Sequence, residues 1–316
     1  MMSLKNKLSA IMLISIGVLL LLLFLVPLIA GTYILHILIL VYMYISLSAS
    51  WNMFSGLSGY FNFGHAVYWG IGSYVFAVTG LAGLPTYLAI LLSGVVSSFF
   101  AICIGYPVLR LRGPYFAVTT LAVMSVVQIF VMFFADVTGG SRGLTLEKLI
   151  IGIGYHKEYY YYYFLILALF AVLLAYKFKK SKLGFGLMII KEDEDAAESL
   201  GINTTLYKLI GYSVSSFLPG ITGALYAYLM LYIDPVMMFN VTESVKVILM
   251  VILGGVGTIT GPILGATVMS VVDSFLRAYF PFWHMFMYSF LLLVLILYIP
   301  RGLQSVIEKI RGKPMP

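Results

Sequence analysis

Long apolar runs separated by short polar breaks dominate this chain. Most approach or exceed the ~20 residues that carry a helix across a bilayer. Ten spans are predicted, at about 10–30, 33–53, 60–80, 85–109, 114–135, 159–176, 206–233, 245–253, 261–280 and 283–299. The first follows Lys5 and Lys7 as a signal peptide would. It is too long for an h-region and leads straight into the next run, so it reads as a retained helix. Pro219-Gly220 predicts a bend in the seventh span. The eighth run is short for a full crossing. Five consecutive tyrosines, Tyr159–Tyr163, open the sixth span and are expected at headgroup level.

Two polar stretches stand out, at 136–158 and 177–208. The second holds six of the 19 basic and five of the 12 acidic residues. The first contains several glycines and separates five predicted spans from five. An odd number of spans per half makes the halves face opposite ways, as an inverted repeat requires. A faint echo joins them: GLSGYFNFGHA at 56–66 against GGVGTITGPILGA at 254–266. Matching glycine-rich interruptions of this kind point to a substrate path near the midplane. The plainer reading is that membrane helices are glycine-rich in any case.

Composition narrows the class. The chain is 62% hydrophobic and 10% charged, with a mean hydropathy of +1.04. That does not fit a soluble domain. It predicts an all-α integral membrane protein with one transmembrane domain over 1–316. The pI near 9.2 does not indicate nucleic acid. Of the basic residues, 14 fall on the side of the N-terminus and five on the other. The positive-inside rule then places both termini and the 177–208 island in the cytoplasm.

The chemistry of an enzyme is missing. Cys103 stands alone, so no disulfide framework or thiol metal site is available. His36, His65, His156 and His284 lack ligand spacing, although His65 sits within the glycine-rich segment. There is no P-loop, no H-E-x-x-H and no G-x-S-x-G. Neither catalysis nor a cofactor is expected. The spans carry few charges beyond Lys246 and an Asp273/Arg277 pair at i,i+4, which can neutralise each other. No deep ionisable relay for ion coupling is visible. Energy for uphill transport is then expected from another protein.

The island itself has the features of a short capped helix. Glu192, Asp193, Glu194 and Asp195 crowd a helix start, where the dipole favours acids. Ala196, Ala197 and Leu200 follow as a small, smooth face, and Gly201 is a natural stop. Asn203 or Thr204 can cap the next span. Such a helix suits docking to a partner; a solvated loop is the bland alternative.

Beyond these features, Lys182–Ala227 closely resembles the coupling-loop region of the branched-chain amino acid family of ABC importer permeases. Four further blocks agree in order: NMFSGLSGYFNFGHAVYWGIGSY, RLRGPYFAVTTLA, VTGGSRGL and MVILGGVGTITGPILGA. RLRGPYFA and TGGSRG point to the LivM-type subunit rather than its LivH-type partner. The resemblance covers roughly residues 45–300. It implies a type II importer-like fold with ten helices in two inverted five-helix halves. It implies a second, LivH-type permease, two cytosolic ATPases and an extracellular or periplasmic substrate-binding protein. It makes Glu192, Asp193, Glu194, Ala196, Ala197 and Gly201 the coupling helix. Asn52, Gly56, Gly59, Gly64 and His65 match the family's first glycine block; Gly254, Gly255, Gly257, Gly261 and Pro262 match its second.

The implied function is inward movement of branched-chain or similar hydrophobic amino acids through the cell membrane, driven by ATP hydrolysis on separate subunits. Ser58, Asn62, Thr119 and Thr120 are candidate pathway groups, with helix–helix hydrogen bonding as their alternative role. Asn62, Tyr60 and Lys246 stand where serine, glutamine and glutamate are common in the family. Urea and short-amide importers share the framework, so the departures keep that substrate open. An ion-coupled secondary carrier is the rival mechanism.

Overall fold

The computed structural model describes residues 21–150, 156–298 and 302–305. The first half of the first predicted span, together with Lys5, Lys7 and the basic tail from Lys309 onward, lies outside them. The end of that span is helix α1, 21–29. Helix α2, Thr32–Trp51, continues as a π-helical turn through Asn52–Gly56. Then come α3, Ala66–Leu81; α4, Thr86–Val108; α5, Pro114–Phe133; and a short α6, Ala135–Thr138. Helix α7, Lys157–Lys179, leads into α8, Lys182–Glu192, and α9, Glu194–Ser199. The chain closes with α10, Thr204–Met230; α11, Pro235–Met238; α12, Val241–Gly254; α13, Thr260–Tyr279; and α14, His284–Tyr298.

Among the described residues, five helices are long and apolar enough to cross a membrane: Thr32–Gly56, Thr86–Val108, Pro114–Phe133, Lys157–Lys179 and Pro235–Gly254. The third predicted span starts late, at Ala66, because the glycine-rich stretch before it makes turns. The predicted short eighth span is α12, 14 residues, or about 21 Å at 1.5 Å per residue. That falls short of a hydrocarbon core of about 30 Å. With α11 in front of it, the apolar run reaches 20 residues.

Helix α2 is the central strut. Every residue from Val41 to Gly56 is buried. It packs against α7, α10, α12 and α13. Helix α10 is the second strut, running unbroken through Pro219. It lies against α3 so closely that a Cβ on Gly72 would stand 2.0 Å from the Gly220 carbonyl oxygen. Close backbone approach at small residues is how membrane helices associate. Gly72→Val is expected to lower the thermal unfolding midpoint of the purified protein, because overpacking costs about 1–3 kcal/mol or more. An unchanged midpoint would contradict this close crossing.

Helix α5 lies outermost, with only Phe116, Thr120 and Met124 buried.

The tyrosine run divides between core and surface. Tyr160 and Tyr161 are buried, whereas Tyr159 and Tyr163 are exposed. The Tyr161 hydroxyl donates to the Leu23 carbonyl at 2.7 Å and lies 3.1 Å from that of Tyr42, tying α7 to α1 and α2. The helical period turns Tyr160 inward as well, against Tyr228 of α10. A short ladder accompanies the helices. β1, Leu144–Thr145, pairs antiparallel with β2, Tyr232–Ile233. The VTGGSRGL block forms this clasp. Gly143 has a φ of +72°, and a Cβ there would meet the Ile233 carbonyl oxygen at 2.0 Å.

Candidate coupling helix and glycine junction

The polar island folds as two helices at an angle. Ser181 caps α8, accepting from the Gly184 amide at 3.2 Å. Asp193 breaks the helix and caps α9, its Oδ1 accepting from the amides of Asp195 and Ala196 at 2.9 Å each. Gly201, at φ +83°, ends it; that left-handed conformation is one that glycine takes without strain. Asn203 caps α10 as the sequence suggests, accepting from the Leu206 amide at 3.0 Å.

The predicted smooth face of α9 divides. Ala197 is fully buried against the rest of this chain. Ala196 and Leu200, one turn apart, face out together. Glu192, Asp193 and Glu198 are also exposed. Ala197 therefore seats the helix, and the outward surface belongs to its neighbours.

Glu194 fastens α9 to three other segments. Lys208 Nζ, on α10, donates to Glu194 Oε1 at 2.5 Å. The Tyr60 hydroxyl donates to Glu194 Oε2 at 2.5 Å. Arg112, in the α4–α5 turn, stands 3.6 Å from Glu194 and 3.0 Å from Asp195. Lys208 also donates to the Leu109 carbonyl at 3.3 Å, at the end of α4. Tyr60 in turn packs edge-on against Phe116 of α5, with ring centroids 5.3 Å apart. The sequence marked Lys208 only as a topology signal. A lysine one turn inside an apolar helix had to find an anion, and that signal was legible.

The surroundings of Glu194 set its charge. Burial raises its carboxyl pKa, but hydrogen bonds from Lys208 and Tyr60 and the charges of Lys208 and Arg112 outweigh that, so the group lies below its ordinary value of 4.5. A depressed carboxyl contributes stability above the ordinary value and loses it as pH falls through the lowered one. The unfolding midpoint is therefore expected to hold down to pH about 4.5 and to fall below it more steeply in wild type than in Glu194→Gln. Matching acid limbs in the two proteins would remove Glu194 from the latch.

A second set of contacts joins the two glycine blocks. Asn52 Nδ2 donates to the Thr258 carbonyl, and Asn52 Oδ1 accepts from the Gly257 amide, both at 2.7 Å. A Cβ on Gly56 would stand 3.0 Å from the Gly257 amide nitrogen, and one on Gly257 would stand 3.2 Å from the Gly56 carbonyl oxygen; within the second block, a Cβ on Gly254 would meet the Gly261 carbonyl oxygen at 1.8 Å. The blocks thus touch with no room for side chains. Lysines from α7 and α8 reach both: Lys179 Nζ donates to the Gly257 carbonyl at 2.7 Å, and Lys191 Nζ to the Gly56 carbonyl at 3.3 Å. Neither lysine stood out from the sequence.

The remaining candidates are placed as follows. Ser58 donates to the Phe54 carbonyl at 2.7 Å, and Asn62 Oδ1 accepts from the Gly64 amide at 2.9 Å. Thr120 accepts from the Phe63 amide at 3.2 Å and donates to the Ala117 carbonyl at 2.7 Å. These bonds hold the turn itself and join it to α5 at Thr120. Thr119 is half-buried. His65 Nε2 lies 3.0 Å from Ser50 Oγ, in the protein interior. Gly59 has its backbone beside the Lys191 stem. Gly255, at φ +126°, follows the end of α12. Among the described residues no cluster of His, Cys, Asp and Glu is arranged to hold a metal.

The chain was then compared with known proteins. The family described as "Branched-chain amino acid transport system / permease component" matches residues 33–297. The high-affinity branched-chain amino acid transport system permease protein LivM of Salmonella typhimurium is 30% identical over 82% of this chain and 67% of its own length. LivH of Escherichia coli, a permease protein of the same kind of system, is 25% identical over 84% of this chain and 93% of its own length. A probable LivM of Methanocaldococcus jannaschii is 26% identical over 71% of this chain. No solved structure matches the chain significantly. Apolar helices of spanning length, a tight glycine junction and a match across most of the chain agree, and the protein belongs to the branched-chain amino acid transport permease family.

Proposed function

We propose that this chain is one of two permease subunits of an ABC importer, and that a cytosolic ATPase grips it at α9. One observation carries the reading. Leu200 is 75% exposed, on a short helix that Asp193, Ala197 and Glu194 hold rigidly in place. An aliphatic side chain held out one turn from an alanine suits a partner's groove. Closure of the ATPases would pull α9, and the Glu194 latch would pass that motion to α10, to the α4–α5 turn and to Tyr60.

The rest of the assembly follows from the same reading. The chain is similar to LivM and LivH proteins alike, which supports a LivH-type permease as its partner. Two cytosolic ATPases supply the energy, and a substrate-binding protein outside the membrane delivers the substrate. The substrates are branched-chain amino acids, as the relatives' names state for those proteins. The 14-to-five asymmetry of basic residues supports cytoplasmic termini and a cytoplasmic 177–208 loop. The contact between the two glycine blocks supports ten spans in two inverted halves.

Leu200→Asp tests the docking role. Substrate-stimulated ATP hydrolysis by the assembled complex is expected to drop more than about tenfold, the effect of losing one interface hot spot. Membrane insertion and the unfolding midpoint of the chain should not change, because Leu200 packs against little of its own protein. Full coupled transport by this variant would remove α9 from the ATPase interface.

A further inference from the structure

The spans hold more buried charge than their sequence suggests. Lys246 and Asp273 are both buried. Lys246 Nζ pairs with Glu243 Oε1 at 2.8 Å, and the Tyr44 hydroxyl donates to Glu243 Oε2 at 2.7 Å. Arg277 Nε donates to Asp273 Oδ2 at 2.9 Å, the i,i+4 pair expected from the sequence. Between α12, α13 and α14 these pairs border a cavity of about 80 Å³. A single water needs only ~10–15 Å³.

Neutralisation explains the pairs and leaves the cavity unexplained. Lys246 uses one of its three N–H donors and Arg277 one of its five. Asp273 takes the Arg277 bond on Oδ2 and also lines the cavity. Tyr288 lines the same cavity, is 5% exposed, and its hydroxyl has no partner. A buried hydroxyl of that kind costs free energy until something fills its bond. Val245, Leu249 and Met285 supply apolar wall beside these groups.

We propose that this cavity receives the head group of an α-amino acid, with its carboxylate on Lys246, Arg277 and Tyr288 and its ammonium toward Asp273. The proposal rests on the transport reading above and names a substrate contact within it. Both charges are needed for the fit. A simple anion would use the donors but face the carboxylate of Asp273. A simple cation would face Lys246 and Arg277. The apolar wall leaves room for an aliphatic side chain, and Lys246, the charge-reversed position noted in the sequence, becomes a specificity residue.

The test uses the permease pair with its ATPases, purified without the binding protein. Calorimetric titration with L-leucine is expected to show binding, weakened about tenfold in Tyr288→Phe by the loss of one hydrogen bond to a charged group. The ligand-free unfolding midpoint of Tyr288→Phe should stay level or rise, since an unpartnered hydroxyl has been removed. A purely structural tyrosine would give unchanged leucine binding and overturn the proposal. Thermal shifts with L-leucine, acetate and methylamine form the second arm. Protection by leucine alone, lost in Lys246→Met, is the expected result. Equal protection by acetate would make this an anion site, and no protection by any of the three would make it a water-filled cavity; either overturns the proposal. A complex that binds leucine yet moves no amino acid would sink the transport reading and leave the site standing.

Discussion

Replacing Glu194 by glutamine is expected to cost about 3–5 kcal/mol of stability, the range for removing one partner of a buried ion pair. Lys208 is the reason. Its side chain is 4% exposed and that of Glu194 11%, so the ammonium would be left charged and without an anion. Thermal unfolding of the purified protein checks the magnitude. Arg112 is mostly exposed and takes little part in the loss. The double variant Glu194→Gln/Lys208→Met should recover most of the midpoint, because an apolar replacement of both partners is often tolerated. Additive losses would show that the two residues act separately. Recovery of stability without recovery of substrate-stimulated ATP hydrolysis would mark the latch as a transmission element.

Asn52→Leu is the second large effect. Leucine is close in size to asparagine but makes neither bond to the second glycine block. The Gly257 amide and the Thr258 carbonyl would lose their partner. Each unsatisfied buried group costs about 1–3 kcal/mol, so a loss of roughly 2–6 kcal/mol is expected. Asn52→Asp should be nearly as harmful, since a carboxylate can accept from Gly257 but only repels the Thr258 carbonyl. Unfolding midpoints of the two variants check this order. Wild-type stability in both would show that the glycine blocks do not depend on Asn52.

The class of fold and the whereabouts of the site were legible in the sequence. Apolar runs located the helices because a lipid-facing helix must be apolar over its full length. The polar island located α9, with its stop at Gly201 and the cap at Asn203 visible as residue types, but not α8 before it. The helix boundary at Ala66 was less legible, because glycine allows both helix and turn. Which side of α9 faces inward was not legible either. Ala196 and Ala197 are chemically the same, and only the packed structure separates them. The burial of Tyr160 and Tyr161 was not legible for a related reason: tyrosine serves both an interface and a core. The partnerships of Lys179, Lys191 and Lys208 lie across long sequence separations, where a single chain gives no register. Tyr60 was noticed as a departure from its family, and only its place between Phe116 and Glu194 shows what the ring does.

The glycine junction also has an electrical character. The C-terminal ends of α2 and α12 both stop there, and each carries about −0.5 of an elementary charge; the start of α13 carries about +0.5. Lys179 and Lys191 bring two whole positive charges to the same carbonyls. The junction therefore carries a net positive potential, partly screened because Lys191 is exposed and Lys179 only half-buried. A zwitterion would feel little net force from it, whereas a cation would be repelled. A path that ran past this point would disfavour lysine- and arginine-like solutes.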